Sequence, residues 1–311
     1  CDSNSCSLPE CFCPGTKGPS TVSRDDTPQM VMLTFDDAIL KEHKKSFDKI
    51  FTEDRINPNG CPILATFFVC HNWTEYNIVK ELHQHGHEIA SHSKTHRMPQ
   101  SFWTYASYGD WERELEGQRD NINKLAGVPI SDIKGARVPY LETGGDAQFQ
   151  MMTDAGYTYD SSFMTGPFIE GGVWPFTLHY PPSTVYCSNI NCPKRSYPNL
   201  WEVPLNRWVG PDGRPCPMMD ACDRQPKDKD DAKAFFLKNF NRHYRGNRAP
   251  FGLHLHAPWF QEGGGFKLNA FAEFLDEILT KDDVYFITLQ QVISWMKNPQ
   301  PKHLTSQFKP W

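Results

Sequence analysis

Met30-Val31-Met32-Leu33-Thr34-Phe35-Asp36-Asp37-Ala38 is the stretch that decides the fold. Four apolar residues lead directly into a carboxylate pair, which reads as a buried strand whose C-terminal end carries chemistry. A second stretch has the same form. Gly86-His87-Glu88-Ile89-Ala90 is another short strand, and Ser91-His92-Ser93-Lys94-Thr95-His96 follows it. A carboxylate pair at one strand end and two histidines at another supply the ligands of a divalent metal, with one carboxylate left over for proton transfer.

The pattern continues outward from these two strands. Strands are expected over 30–35, 64–69, 87–91, 133–136, 157–159, 201–205, 251–255 and 284–287. Polar helical segments over 40–51, 74–85, 109–125, 145–155, 230–243, 268–279 and 289–296 alternate with them. The alternation predicts an α/β fold with a parallel sheet, more specifically a distorted (β/α) barrel of about seven strands with long disulfide-bridged loops. Residues 1–28, with four cysteines and several prolines and glycines, read as a disulfide-rich arm packed on the barrel, and 29–311 as the catalytic domain. Residues 161–228 interrupt the rhythm with prolines, four cysteines, Trp174, Trp201 and Trp208, and read as loops on the working face. The last ten residues are expected to cover the barrel as a tail.

Composition narrows the function. The 311 residues are 39% hydrophobic with a net charge of −5. No apolar run approaches the roughly 18–20 residues of a membrane span. No basic stripe suggests nucleic acid, and the Lys41–Lys45 run reads as a solvated helix face. Ten cysteines, several close together among turn formers, favour disulfides of a secreted protein over a zinc ribbon or buried thiols. Cys187 with Cys192 and Cys216 with Cys222 are the expected local bridges. Asn72-Trp73-Thr74 is an N-glycosylation sequon, which agrees with secretion. No signal peptide is visible from Cys1 onward, so any targeting segment is expected to have been removed or to lie outside this sequence.

Each chemical motif has a plainer alternative. Asp36 and Asp37 could cap a helix. As neighbours just past a strand end they point different ways, so one can bind metal while the other faces substrate. His92 and His96, spaced i, i+4, would share one face of a helical turn. His83, His85 and His87 could ligate from a strand, but with no carboxylate partner they read better as a helix end running into a turn. One carboxylate and two imidazoles with open positions suit zinc best, with cobalt or manganese as alternatives.

These residues carry a resemblance. Thr34–Ala38 and His92–His96 are similar to the first two motifs of the polysaccharide deacetylases of carbohydrate esterase family four. Arg137-Val138-Pro139-Tyr140 is similar to the third, and Leu253-His254-Leu255-His256 to the fifth. Within the family the chain most resembles the insect chitin deacetylases, over nearly its whole length. The resemblance implies a zinc site of Asp37, His92 and His96, with Asp36 as general base and Arg137 as its tether. It implies the Tyr140 N–H as oxyanion donor and His256 as general acid. A carboxylate should hold His256 as imidazolium, and Asp160 is the candidate.

The match loosens in places. Ala257 stands where many members have Asp. The fourth motif, an Asp followed by Trp, fits Asp160 with Trp174, and Trp201 is a rival. Strand alternation cannot separate His254 from His256, and the family pattern favours His256. Trp174, Trp201 and Leu253 are the expected sugar contacts, and Trp103, Tyr105, Trp208 and Trp259 are further loop aromatics that could stack on pyranose faces. The expected activity is removal of N-acetyl groups from chitin or N-acetylglucosamine oligomers by a secreted monomer in an extracellular matrix such as cuticle or gut lining. The rivals are a deacetylase or esterase of another acetylated sugar, a chitin-organising protein with a vestigial metal site, and a disulfide-rich structural protein.

Overall fold

The computed structural model describes residues 1–2, 4–166 and 171–311; residues 167–170 of the expected loop segment lie outside the described part. One sheet organises it. Its strands are β1 (Gln29–Asp37), β2 (Ala65–Val69), β3 (Glu88–Ser91), β4 (Gly135–Ala136), β5 (Tyr159–Asp160), β6 (Phe176–Leu178), β7 (Tyr197–Glu202), β8 (Phe251–His256) and β9 (Val284–Phe286). They lie in the order β8-β1-β2-β3-β4-β5-β7-β6, with β9 also paired to β1. Every pairing is parallel except β6 with β7. All eight expected strands and all seven expected helical segments are present, and β6 is an addition.

The sheet has nine strands, and among the described residues no ladder joins β8 to β6, so it is not a closed barrel. The segment after β7 occupies the free side of β8 instead. Trp208 Nε1 donates to Gly252 O at 2.8 Å, and Met219 N–H donates to His254 O at 3.1 Å. These bonds satisfy carbonyls that an open edge would leave to solvent. At the other end the N-terminal arm, pinned by Cys1–Cys13 and Cys6–Cys11, covers β6. Thr177 N–H donates to Phe12 O at 3.0 Å. Cys187–Cys192 and Cys216–Cys222 form as expected, but Cys61 and Cys70 stay unpaired, so four bridges form among the described residues rather than five.

Strand alternation decides what each side chain can reach. On β1, Val31, Leu33 and Phe35 face the outer layer and pack with Phe47, Phe67 and the helix Phe266–Ile278. Met30 and Met32 face the interior with Phe68, Tyr159 and Trp201. Thr34 and Asp36 continue that inner row, opposite His254 and His256 of β8. The interior is therefore apolar at its base and polar at the C-terminal strand ends, where a parallel α/β sheet presents its chemistry. The tail closes the base, with the Trp311 ring 5.0 Å from that of Tyr285.

Gly135 is required by the same packing, because a Cβ there would enter the Tyr159 ring. Gly135→Ala is expected to lower stability by about 1–3 kcal/mol, read as a lower urea midpoint at unchanged m-value.

Candidate active site

Asp37, His92 and His96 converge. His92 Nε2 lies 3.5 Å and His96 Nε2 3.3 Å from Asp37 Oδ1. Asp37 ends β1 with φ +83°, a left-handed turn that takes its side chain out of strand alternation. That is how two consecutive aspartates come to line one cleft. The histidine pair does not sit on a helical turn, as its spacing suggested. Ser91–His96 leaves β3 as an irregular loop with Ser93 at φ +72° and His96 at φ +44°. A buried carboxylate fixes the loop. Glu114 accepts from Lys94 N–H (3.1 Å), Thr95 N–H (2.8 Å) and Thr95 Oγ1 (2.7 Å). Glu114 comes from a π-helical insert, Glu112–Glu116.

The donor set fits a divalent cation. His92 Nδ1 meets Arg137 O at 2.8 Å, so that nitrogen carries the proton and Nε2 turns a lone pair toward Asp37. Asp37 Oδ1 is itself buried and has no hydrogen-bond partner. A lone pair opposite a carboxylate oxygen is repulsive until a cation lies between them. Burial works against charge on Asp37, but the neighbouring imidazoles, His92 before His256 and His96, hold its carboxyl far below the usual range whenever they carry the positive charge that a cation seated among them would supply instead.

Asp36 is buried and bound by Arg137, with Nη1 to Oδ1 at 2.6 Å. Arg137 is fully buried and also donates to Thr34 Oγ1, Ser161 O and Ser161 Oγ, at 2.9, 2.7 and 2.9 Å. Tyr140 and Leu141 follow with φ of +57° and +55°. Among the described residues the Tyr140 N–H enters no turn or cap hydrogen bond. Its ring packs on His96 with centroids 4.6 Å apart.

His256 Nε2 lies 3.8 Å from Asp37 Oδ2, and its Nδ1 is 2.8 Å from Asp220 Oδ2. Burial opposes the charged ring, but the Asp220 hydrogen bond and charge, with the charges of Asp36 and Asp37, push its pKa up to about 9. His254 sits one step deeper, fully buried and bonded through Nδ1 to Thr34 Oγ1 at 2.8 Å, so it is the second layer of the site.

Three expectations are corrected here. Asp160 is not the partner of His256; Asp220 is. Tyr159 faces the interior, so its neighbour Asp160 faces the opposite layer and accepts from Gln148 and Ser162. Asp220 lies in the loop closed by Cys216 and Cys222, and the only sequence signal for it was that bridge. Trp174 and Trp201 are not cleft residues. Both are buried in the core, Trp174 stacked on Trp295, as are Trp103, Trp208 and Trp259. Leu253 lies on the outer face of β8 beside Leu33, again by alternation. Tyr105 is 84% exposed. The cleft, about 290 Å³, is lined by Asp36, Asp37, His92, His96 and His256, with Tyr140 and Leu141 on one wall and Pro217, Met218 and Ala221 on another. His83, His85 and His87 form the expected helix end, with Gly86 at φ +89°. Asn72 is exposed, and its Nδ2 donates to Thr95 O at 3.4 Å.

The chain resembles known proteins along most of its length. The chain is 40% identical over 304 residues to chitin deacetylase 8 of Bombyx mori, covering 97% of this chain and 79% of that protein. The chain belongs to the polysaccharide deacetylase family. The family model, described as polysaccharide deacetylase, matches residues 23–159. Chitin deacetylase 1 of Bombyx mori is also 40% identical, over 322 residues, covering all of this chain but only 59% of that protein. The chain thus spans just under three fifths of one of these relatives and just under four fifths of the other. Among solved structures, the catalytic domain of a peptidoglycan N-acetylglucosamine deacetylase from Eubacterium rectale aligns with a TM-score of 0.50 at 16% identity, covering 93% of this chain and 94% of that one. The Puue allantoinase aligns with a TM-score of 0.54 at 15% identity, covering 83% and 71%. At such identities the likeness is one of fold.

Asp37→Ala, His92→Ala and His96→Ala should each lose bound zinc after equilibration and dialysis, while Asp36→Asn keeps it. Glu114→Ala, which frees the histidine loop, should weaken zinc affinity about 10- to 100-fold. Elemental analysis and competition with a chelating dye measure both.

Proposed function

We propose that this chain is a secreted, metal-dependent deacetylase that removes N-acetyl groups from chitin or its oligomers, releasing acetate. The observation that carries the reading is the set of groups around one cleft: a candidate metal triad, a carboxylate tethered by a buried arginine, a free backbone N–H and a charged histidine. The similarity to chitin deacetylases supplies the substrate class. The disulfides support an oxidising, extracellular setting. No helix among the described residues is long and apolar enough to cross a membrane. Exposed Asn72 is the proposed glycan site, and a monomer is the proposed state.

Zinc is the proposed ion; held by Asp37, His92 and His96, it would polarise the acetamide carbonyl and make water acidic enough to lose a proton near neutral pH. Asp36 takes that proton. The Arg137 bond holds the Asp36 carboxylate plane fixed, so no reorganisation is needed when the water attacks. The Tyr140 N–H, set by Pro139 and the left-handed turn, faces the charge that develops on the carbonyl oxygen. His256 delivers a proton from Nε2 to the departing glucosamine nitrogen. Asp220, bonded to Nδ1, keeps the ring charged beforehand and oriented during transfer. Acetate and the free amine result.

The test is acetate release from N-acetylglucosamine oligomers. A chelator should abolish it and zinc restore it. Asp36→Asn should lower kcat about 100- to 10,000-fold with metal content unchanged. Asp220→Asn should lower kcat with little change in KM. If no acetylated glycan gives metal-dependent acetate, the proposal fails.

A further inference from the structure

Behind the cleft lies a second pair of carboxyls that the mechanism does not use. Asp160 and Glu202 are register partners on β5 and β7, and both are fully buried. They face away from the interior, toward the helix Gly145–Asp154 and an apolar layer that includes Phe149, Met152, Phe163 and Phe176. Two carboxylates side by side in such a layer cannot both be charged at acceptable cost.

Their surroundings are unequal. Asp160 accepts three hydrogen bonds: Gln148 Nε2 at 3.1 Å and Ser162 Oγ at 2.9 Å on Oδ1, and Ser162 N–H at 2.9 Å on Oδ2. Glu202 accepts one, from Phe163 N–H to Oε1 at 3.0 Å, and no donor among the described residues reaches its buried Oε2. Donors stabilise a carboxylate, and an orphan oxygen is where a proton sits. We infer that Glu202 is a neutral carboxylic acid in the working protein, that Asp160 is the charged member, and that the pair is a positioning device for the Arg137 tether and the Tyr140 turn. Burial raises both groups, Asp160 to about 6 and Glu202 well beyond its ordinary value, which gives the same order.

The route to the cleft is short. The pair holds the turn Ser161–Phe163 by its backbone N–H groups at 162 and 163. Ser161 then receives two of the Arg137 donors, through its O and its Oγ. Ser162 Oγ accepts Val138 N–H at 3.0 Å, two residues before Tyr140. One buried proton therefore fixes the frame of both the base and the oxyanion donor. Neither acid touches substrate. A second negative charge there would repel Asp160 and loosen the turn.

The catalytic consequence rests on the deacetylase reading; the protonation state does not. The decisive measurement is the infrared difference spectrum between the unmodified protein and Glu202→Gln at neutral pH. The carbonyl band of a protonated carboxyl should be present in the first and missing in the second. Gln mimics a neutral acid, so Glu202→Gln should keep kcat close to that of the unmodified protein. Asp160→Asn replaces one of two accepting oxygens by a donor, and should lower kcat roughly 10- to 100-fold with KM and zinc content little changed. Should Asp160→Asn fail to fold, the infrared band and Glu202→Gln decide. A spectrum with no protonated carboxyl assignable to Glu202, or a crippled Glu202→Gln beside a tolerant Asp160→Asn, overturns the inference. If the deacetylase reading fails, the unmodified protein releases no acetate, and the infrared result still stands or falls alone.

Discussion

A guanidinium with no access to solvent sits at the centre of this molecule. Taking such a group out of water costs several kcal/mol, and only a full set of partners offsets that. Arg137 has them: Asp36 and Thr34 from β1, two atoms of Ser161 just past β5, and the face of the Phe68 ring 4.1 Å away. Its own carbonyl orients His92. The charge balance of the interior, the direction of the proposed base and the tautomer of one candidate metal ligand thus depend on one side chain. Arginine suits the place because its planar fork serves several acceptors at fixed angles.

What could be read in the sequence follows from period and adjacency. The strand Met30–Leu33 and the polar residues after it were legible because an apolar run stops where chemistry begins. The alternation of short runs with helical segments gave the seven main helical segments and every strand of the large sheet but β6, which pairs antiparallel at an edge and lies in the irregular stretch; the short helices Ser101–Tyr105 and Lys302–Thr305 and the two-residue strands within 161–228 carried no such period. The candidate metal ligands, which the fold brings together, were legible because each set is local: two aspartates together, two histidines four apart. The partner of His256 was not. Asp220 and His256 are 36 residues apart, and no local pattern marks one loop aspartate among many. The sugar-contacting aromatics failed for a related reason. A tryptophan in a proline-rich stretch looks exposed, yet Trp174 and Trp208 fill the core where the sheet does not close. Alternation, applied with the true register, would have removed Leu253 and Asp160.

Backbone strain gathers at the cleft. Asp37, Ser93, His96, Tyr140 and Leu141 all have positive φ, a conformation that costs a non-glycine residue on the order of 1 kcal/mol or more. These turns break the alternation that strands impose. They let consecutive residues face one space, which regular structure cannot do. The surrounding sheet, with its filled core, holds them there.

The ring closed by Cys216 and Cys222 holds more than an anchor. Within six residues it carries the carboxylate bonded to His256, the proposed proton donor, and three side chains, Pro217, Met218 and Ala221, that form a wall of the cleft. The setting of the proposed acid and the shape of the cleft are therefore mechanically one part. A ligand that presses on that wall also shifts the group that tunes proton delivery, so fit and turnover cannot be adjusted independently. A drift in this short covalent ring would move both settings together while leaving the metal triad undisturbed.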